Sequence, residues 1–314
     1  MIYMDNAASA PVLDCALSAA EPFLRNCWGN PSSIHTEGRR AALALIEARE
    51  KCARAIGAAP EEIVFTSGGT ESDNMAVKSA ALAGWEQGRR RIVTTAVEHP
   101  AVLESCRTLE RFGFTVEYLP VDSGGYVSAE RARELITPDT ALVTVMTANN
   151  EVGAVQPIHE IAAVCRERGV LFHTDAVQAA GMIPLDVNDI GCDMLSISAH
   201  KLGGLRGAGL LYCRRGIPVN PLLNGGGQEN GLRSGTENTA AIAAMGAAME
   251  YACRDIPGKS AAMSEVRDRL ISLLTEIPGS RLNGGKSLRL CGNVNVSFAG
   301  IEGESLVLGL DLRG

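Results

Sequence analysis

Apolar and polar positions follow two periods that alternate along most of this chain. Seven short runs, over 62–66, 91–95, 115–119, 141–147, 170–174, 194–198 and 209–213, are apolar and bounded by turn-forming residues, which predicts strands. The stretches between them carry apolar residues at helical spacing. A helix over 39–56 shows the stripe Leu43, Ile46 and Cys52, with Gly57 just past its end. Further helices are predicted after Asn74 to about residue 83, from Pro100, from Ser128 with Glu130 in its first turn, and over 158–168. The first 33 residues read as an irregular arm with one short helix, being rich in Asn, Pro, Gly and Ala.

This alternation predicts an α/β fold with a mainly parallel sheet covered by helices on both faces. Ligands of such sheets sit beyond the carboxyl ends of the strands. Gly68-Gly69-Thr70, Asn149-Asn150-Glu151, Asp175 with Gln178, and Ser198-Ala199-His200-Lys201 all lie just past strand ends. Four polar clusters, distant in sequence, therefore converge on one rim. Beyond residue 240 the rhythm changes. An alanine-rich helix over 240–253, a loop at Pro257-Gly258, an amphipathic helix over 260–277, a strand over 293–298 and a helix over 304–310 follow. The chain divides into a large domain over 16–253 and a smaller, incomplete α+β part made of 254–314 with the arm 1–15.

Composition narrows the class. With 314 residues, 46% of them hydrophobic and 21% charged, the chain is long enough for one sizeable core and a smaller domain. A net charge of -7 argues against a nucleic-acid partner, and Arg89-Arg90-Arg91 is too short a basic run to change that. No apolar run approaches about 20 residues, so no membrane partner is expected. The opening Met1-Ile2-Tyr3-Met4-Asp5-Asn6 does not read as a secretory signal. Nine scattered cysteines, with no Cys-x-x-Cys pair, read as reduced thiols of a cytoplasmic protein. The five histidines show no zinc spacing, so no metal is expected.

Each rim cluster carries two readings. Lys201 ends a buried strand, where desolvation lowers an amine's pKa toward the neutral form that a Schiff-base lysine needs; a surface lysine after a strand is the alternative. Ser67-Gly68-Gly69-Thr70 offers a phosphate cradle at a helix start, or an ordinary turn with a capping Thr. It lacks the Gly-Lys-Ser/Thr ending of a nucleotide P-loop. Asp175 suits a protonated pyridine nitrogen, or caps the next helix. His99, in Glu98-His99-Pro100, stacks on a flat ring and moves protons, or caps a helix.

Phosphate cradle, ring-stacking His, Asp for a ring nitrogen and Lys for an aldehyde together describe a pyridoxal-phosphate site. Order and spacing add a resemblance. The matching motifs are Met4-Asp5-Asn6-Ala7-Ala8, Asn30-Pro31-Ser32-Ser33, Thr66-Ser67-Gly68-Gly69-Thr70-Glu71-Ser72-Asp73-Asn74, Glu98-His99 and Asn149-Asn150-Glu151-Val152-Gly153. They continue with His173-Thr174-Asp175-Ala176-Val177-Gln178, Ser198-Ala199-His200-Lys201, Gly225-Gly226-Gly227-Gln228-Glu229, Arg233-Ser234-Gly235-Thr236-Glu237-Asn238 and Glu302-Gly303-Glu304-Ser305. Across essentially its whole length the chain resembles the cysteine desulfurase family, within the class V aminotransferases of fold-type I. The last of these motifs resemble the branch serving iron–sulfur clusters and tRNA thiolation.

The resemblance implies that Lys201 is the Schiff-base lysine and that Asp175 pairs with the pyridinium nitrogen. It places Gln178 and Asn150 near the ring hydroxyl, with Asn150 also close to substrate. His99 stacks on the ring and acts as acid and base. Thr70, Ser198, His200 and the Gly69 backbone hold the phosphate. Thr236 reaches the phosphate of a partner subunit, which implies a homodimer. L-cysteine becomes L-alanine, and sulfur passes as a persulfide to an acceptor or scaffold protein.

The match departs from the family at the end. The 314 residues contain neither the family's nucleophilic-Cys loop nor its substrate-carboxylate arginine, which implies a chain that holds pyridoxal phosphate without forming the persulfide. Cys291 reads as a structural thiol. A related class V aminotransferase or selenocysteine lyase, and a non-catalytic pyridoxal-phosphate-binding scaffold, are the alternatives.

Overall fold

The computed structural model describes residues 2–314. In chain order the elements are α1 (Asp14–Arg25), α2 (Thr36–Ala55), β1 (Ile63–Thr66), α3 (Gly69–Glu86), β2 (Arg91–Thr95), α4 (Pro100–Glu110), β3 (Thr115–Leu119), α5 (Ala129–Leu135), β4 (Thr140–Thr144) and α6 (Ile158–Arg168). They continue with β5 (Leu171–Asp175), α7 (Val187–Ile190), β6 (Met194–Ser198), β7 (Gly209–Cys213), α8 (Thr239–Ala252), α9 (Ile256–Thr275), β8 (Ser280–Leu282), β9 (Val296–Phe298) and α10 (Gly303–Asp311).

β1 to β7 form one sheet in the order β1-β7-β6-β5-β4-β2-β3. The pairs β2–β3, β2–β4, β4–β5 and β5–β6 are parallel, while β7 runs antiparallel to both β6 and β1. The expected mainly parallel α/β sheet is therefore present. Successive strand residues feed two cores, because side chains alternate across a sheet. Ile63, Phe65, Leu210 and Tyr212 join one core with α1, α2, α6 and α8. Val64, Leu211 and Cys213 join the other with α3 and α4. This two-sided burial is why the strands read as continuous apolar runs.

One close approach positions the site. A Cβ on Gly209 would stand 2.6 Å from both Cα and C of Gly68, so only glycine lets β7 lie behind the β1–α3 turn. Gly209→Ala is expected to destabilise the protein by about 1–3 kcal/mol, since backbone cannot yield as a side chain can. Denaturant unfolding checks this, and a loss below roughly 0.5 kcal/mol contradicts it.

Several boundaries differ from the sequence reading. The first-turn cluster after β1 is not a loop, since α3 begins at Gly69 and carries Thr70 and Asp73 on its first turns. The Pro257-Gly258 stretch is also helical. Asp255, at φ 71, caps α9 by accepting the Gly258 N–H, and Pro257 is tolerated in a first turn that needs no N–H from it. The arm carries a full helix, α1, whose Ala16 and Ala20 are buried in the main core. The strand over 293–298 shortens to β9, because Asn293 and Asn295 turn their amides to the Glu151 carbonyl. Its partner β8, three residues long, was too short to show a period.

Candidate active site

The carboxyl ends of β1, β5 and β6 and the segments after β2 and β4 enclose a cavity of about 370 Å³. It is lined by Gly69, Thr70, His99, Asn150, Asp175, Gln178, Ser198, His200 and Lys201, so these predicted residues are brought together. Thr236 is not. It lines a separate cavity of about 200 Å³ with Ser67, Arg233 and Asn238.

One end of the main cavity is the start of α3. Gly68 sits at φ 156, ψ 179, a conformation essentially confined to glycine. The first intrahelical bond runs from Ser72 N–H to Gly68 O, so the N–H groups of Gly69, Thr70 and Glu71 have no intrahelical acceptor. A Cβ on Gly69 would meet Val177 Cγ2 at 2.7 Å. The turn is held from outside by Glu71, which accepts from Ser67 N–H at 2.8 Å and from Arg233 Nε at 2.9 Å. Burial pushes the Glu71 carboxyl up, but the Arg233 and Ser67 contacts outweigh it and hold it below its usual range. Ser198, with Gly209 opposite it in the ladder, brings a hydroxyl to the same end.

Asp175 lines the same cavity, 5% exposed. It caps no helix, because the residues after it form turns, and its Oδ1 accepts the Val177 N–H at 2.8 Å. Burial pushes its pKa up; the Val177 N–H and the charges of His99 and Lys201 pull the other way. Such a carboxylate lacks a full cationic partner, and burial of that kind calls for one.

Lys201 lines it too. Burial lowers the pKa of its amine, opposed by Asp5 and Asp175. Its Nζ donates to the carbonyls of Ala7 at 2.5 Å and Ala8 at 2.9 Å. Gln178 Nε2 donates to the same Ala7 carbonyl at 2.9 Å. The N-terminal arm is tied along the whole Lys201 turn, through Ala10 N–H to His200 O and Leu13 N–H to Gly203 O, both 2.9 Å. Sequence reasoning quoted Asp5, Ala7 and Ala8 as motif residues but gave them no place in the site. Ala7 and Ala8 contribute backbone carbonyls, which leave no side-chain signal, while Asp5 contributes its carboxylate charge beside Lys201.

His99 takes the capping reading and also lines the cavity. It caps α4, its Nδ1 accepting the Ala101 N–H at 3.1 Å. Because Nδ1 is an acceptor, the neutral ring carries its proton on Nε2. His99→Ala is expected to cost about 1 kcal/mol of stability through the lost cap, whereas His99→Asn, a capping residue, keeps most of it. Thermal melting of the two variants separates the cap from the chemistry. Equal melting losses for both would remove the capping role. Asn150 is presented by a turn that Asn149 closes, with Asn149 Oδ1 accepting the N–H groups of Glu151 and Val152 at 2.9 and 2.8 Å.

Among the described residues no cysteine lines this cavity. Cys15, the exposed one, faces the Ala247 carbonyl. Burial pushes the Cys52, Cys106 and Cys192 thiols up to about 12, so they stay inert.

A family model described as aminotransferase class-V matches residues 2–314. The chain is 48% identical to the cysteine desulfurase IscS of Dictyoglomus turgidum over 314 residues, covering 100% of this chain and 79% of that protein. It is 47% identical to the cysteine desulfurase IscS of Methanosarcina thermophila, covering 100% of this chain and 77% of that protein. Among solved structures it is similar to a NifS-like protein, at TM-score 0.96 and 41% identity over 100% of this chain and 86% of that one. It is also similar to SspA in complex with cysteine, at TM-score 0.87 and 38% identity over 100% of this chain and 87% of that one.

Proposed function

The chain belongs to the cysteine desulfurases of the class-V aminotransferase family, enzymes that depend on pyridoxal phosphate, and from that premise we propose that it takes L-cysteine, frees L-alanine and hands the sulfur to a thiolate as a persulfide. The cavity fits the cofactor on its own chemistry. It is lined by glycine-framed N–H donors, a buried carboxylate without a full cationic partner, and an amine of lowered pKa.

Gly69, Thr70, Ser198 and His200 would hold the phosphate, Asp175 the ring nitrogen, and Gln178 and Asn150 the ring hydroxyl; His99 would cover the ring face. When bound, pyridoxal phosphate supplies an aldehyde for amines and a cationic ring that draws electrons from the substrate's α-carbon. Lys201 serves as amine nucleophile and then as proton carrier at Nζ, since its lowered pKa leaves more of it neutral. The Ala7 and Ala8 carbonyls hold that amine in reach when it is free. His99 Nε2 is the nitrogen available to give and take a proton, as Nδ1 is engaged by the α4 cap. The single observation that carries this reading is the placement of Asp175, Lys201 and the open α3 start around one cavity.

The other parts of the proposal follow from the resemblance. The protein acts in the cytoplasm, and among the described residues no helix is long and apolar enough to cross a membrane. It works as a homodimer in which Thr236 serves the partner's phosphate, in keeping with its separate cavity here, and it meets a sulfur acceptor or scaffold protein. Residues 16–253 form the cofactor domain, and 254–314 with 1–15 belong to the smaller part. A second reading, a selenocysteine lyase or related lyase, is favoured by the absence of a thiol from the cavity among the described residues, since such an enzyme needs none.

The test is to mix the purified 314-residue protein with pyridoxal phosphate and then L-cysteine. A Lys201-dependent visible band, perturbed by cysteine but without multiple-turnover sulfide release, is the expected result for these residues alone. Repeated sulfide release would show that the thiol is supplied from within them. No visible band would overturn the cofactor assignment.

A further inference from the structure

Beneath the cavity lies a third acid that the chemistry above does not use. Asp73, on the second turn of α3, is 1% exposed, and its Oδ1 is buried without a hydrogen-bond partner. Asp73 is also among the residues that line the cavity. The groups that face it come from every neighbouring element. β5 contributes Asp175 and His173, the segment after β2 contributes Glu98 and His99, and Lys201 follows β6. β4 and β6 add only the hydroxyls of Thr144 and Ser196.

No cation in this group is available to Asp73. His173 Nε2 stands 3.7 Å from Asp73 Oδ1, too far for a hydrogen bond. Both of its nitrogens are already engaged, Nδ1 with Thr144 Oγ1 at 2.8 Å and Nε2 with Ser196 Oγ at 3.0 Å. The ring is fully buried, and burial pushes its pKa down to about 3, so it is neutral. His99 and Lys201 act on Asp175 instead. Glu98 accepts from Thr95 Oγ1 and Met146 N–H, both at 2.9 Å, yet burial still pushes it up to about 8. Of the three buried carboxyls, Asp73 has the least to stabilise a charge. Burial, then the neighbouring Asp175, hold its pKa well above the usual carboxylate range, against the pull of the Ser196 hydroxyl.

We propose that Asp73 is a positioning residue, a neutral carboxylic acid under the cavity floor that confines the negative charge of the Asp73–Asp175 pair to Asp175, where the cofactor's ring nitrogen belongs. Two like charges sharing one buried place cannot both ionise. The pair therefore carries a single charge, and the partner with the N–H donor and the nearby cations keeps it. For its meaning toward the cofactor this rests on the reading of the previous section; the charge assignment itself does not.

The experiment compares wild type with Asp73→Asn as full 314-residue chains, first without cofactor. A carboxyl with a raised folded pKa contributes stability that is complete below its unfolded pKa and is lost as pH rises toward the folded value. Wild type should therefore fall behind Asp73→Asn as pH rises from 5 to 8. At pH 8 the variant should melt more than about 3 °C higher, with the gap narrowing toward pH 5. Infrared spectra at neutral pD should show a protonated-acid carbonyl band in wild type that Asp73→Asn lacks. Pyridoxal phosphate should then bind Asp73→Asn far more tightly than Asp175→Asn.

A variant that melts lower than wild type at every pH would overturn the proposal, since it would mark an ionised Asp73 paired with a protonated His173. Cofactor affinity lost as completely as in Asp175→Asn would overturn it as well. If Asp73→Asn does not fold, Asp73→Ser is scored in its place. Failure of both neutral replacements also overturns the proposal. If wild type itself binds no pyridoxal phosphate, the functional reading fails while the melting and infrared comparisons still decide the charge.

Discussion

Lys201→Ala is expected to abolish covalent retention of pyridoxal phosphate and to lower turnover of amine substrate by at least roughly 10³-fold. The amine is the nucleophile that meets the cofactor aldehyde and the group that afterwards moves the proton, so one truncation removes both. The fold should survive it. Lys201 is about half-buried, and its two hydrogen bonds go to the Ala7 and Ala8 carbonyls. Ala7 O keeps a donor in Gln178 Nε2. The stability loss should then stay within about 1.5 kcal/mol, the net worth of an ordinary hydrogen bond. Borohydride treatment followed by mass spectrometry reads the covalent linkage directly. A phosphopyridoxyl label still found on the Lys201→Ala chain would assign the linkage to another lysine.

Asp175→Asn should separate affinity from stability and move them in opposite directions. With the ring nitrogen's charge desolvated against it, Asp175 is the buried partner whose loss costs about 3–5 kcal/mol, or roughly 150- to 5000-fold in cofactor affinity. The cofactor-free protein behaves otherwise. There Asp175 is a buried, ionised carboxyl with one N–H donor, and its burial costs stability. The amide removes that cost, so the cofactor-free variant should melt above wild type by a margin that changes little between pH 6 and pH 8, unlike the widening gap expected of Asp73→Asn. Equilibrium binding followed by absorbance, with melting curves across pH, supplies both readings. Unchanged affinity would remove Asp175 from the ring-nitrogen position.

Much of this was legible in the sequence, and the limits have physical causes. Most strands could be read because both sheet faces are buried and most of their positions are apolar, the exposed edge strand β3 excepted. The rim could be read because Asp175, Ser198 and Lys201 each follow such a run at once. The start of α3 was placed too late. Its first six residues, Gly69-Thr70-Glu71-Ser72-Asp73-Asn74, are apart from Glu71 of weak helix preference, and packing rather than propensity makes them helical. Pro257 misled for the related reason that a proline in a first turn resembles a loop breaker. The arm's role escaped because backbone carbonyls write no signature. Asp73 was quoted within a motif, but only the fold puts it beside Asp175 without a partner.

The reversed strand also has a consequence for how the site comes into being. β1 lies at the sheet edge and pairs only with β7, Ile63 meeting Tyr212 roughly 150 residues later. Closing so long a loop is among the slower and more entropically costly steps of assembly. The turn that begins α3 hangs on β1, so it cannot be fixed until the last strand of the sheet has arrived. During synthesis the chain must then emerge past Cys213 before the cavity is complete. The earliest strand made is the last to be locked, and cofactor capture becomes a late event in the life of the nascent chain.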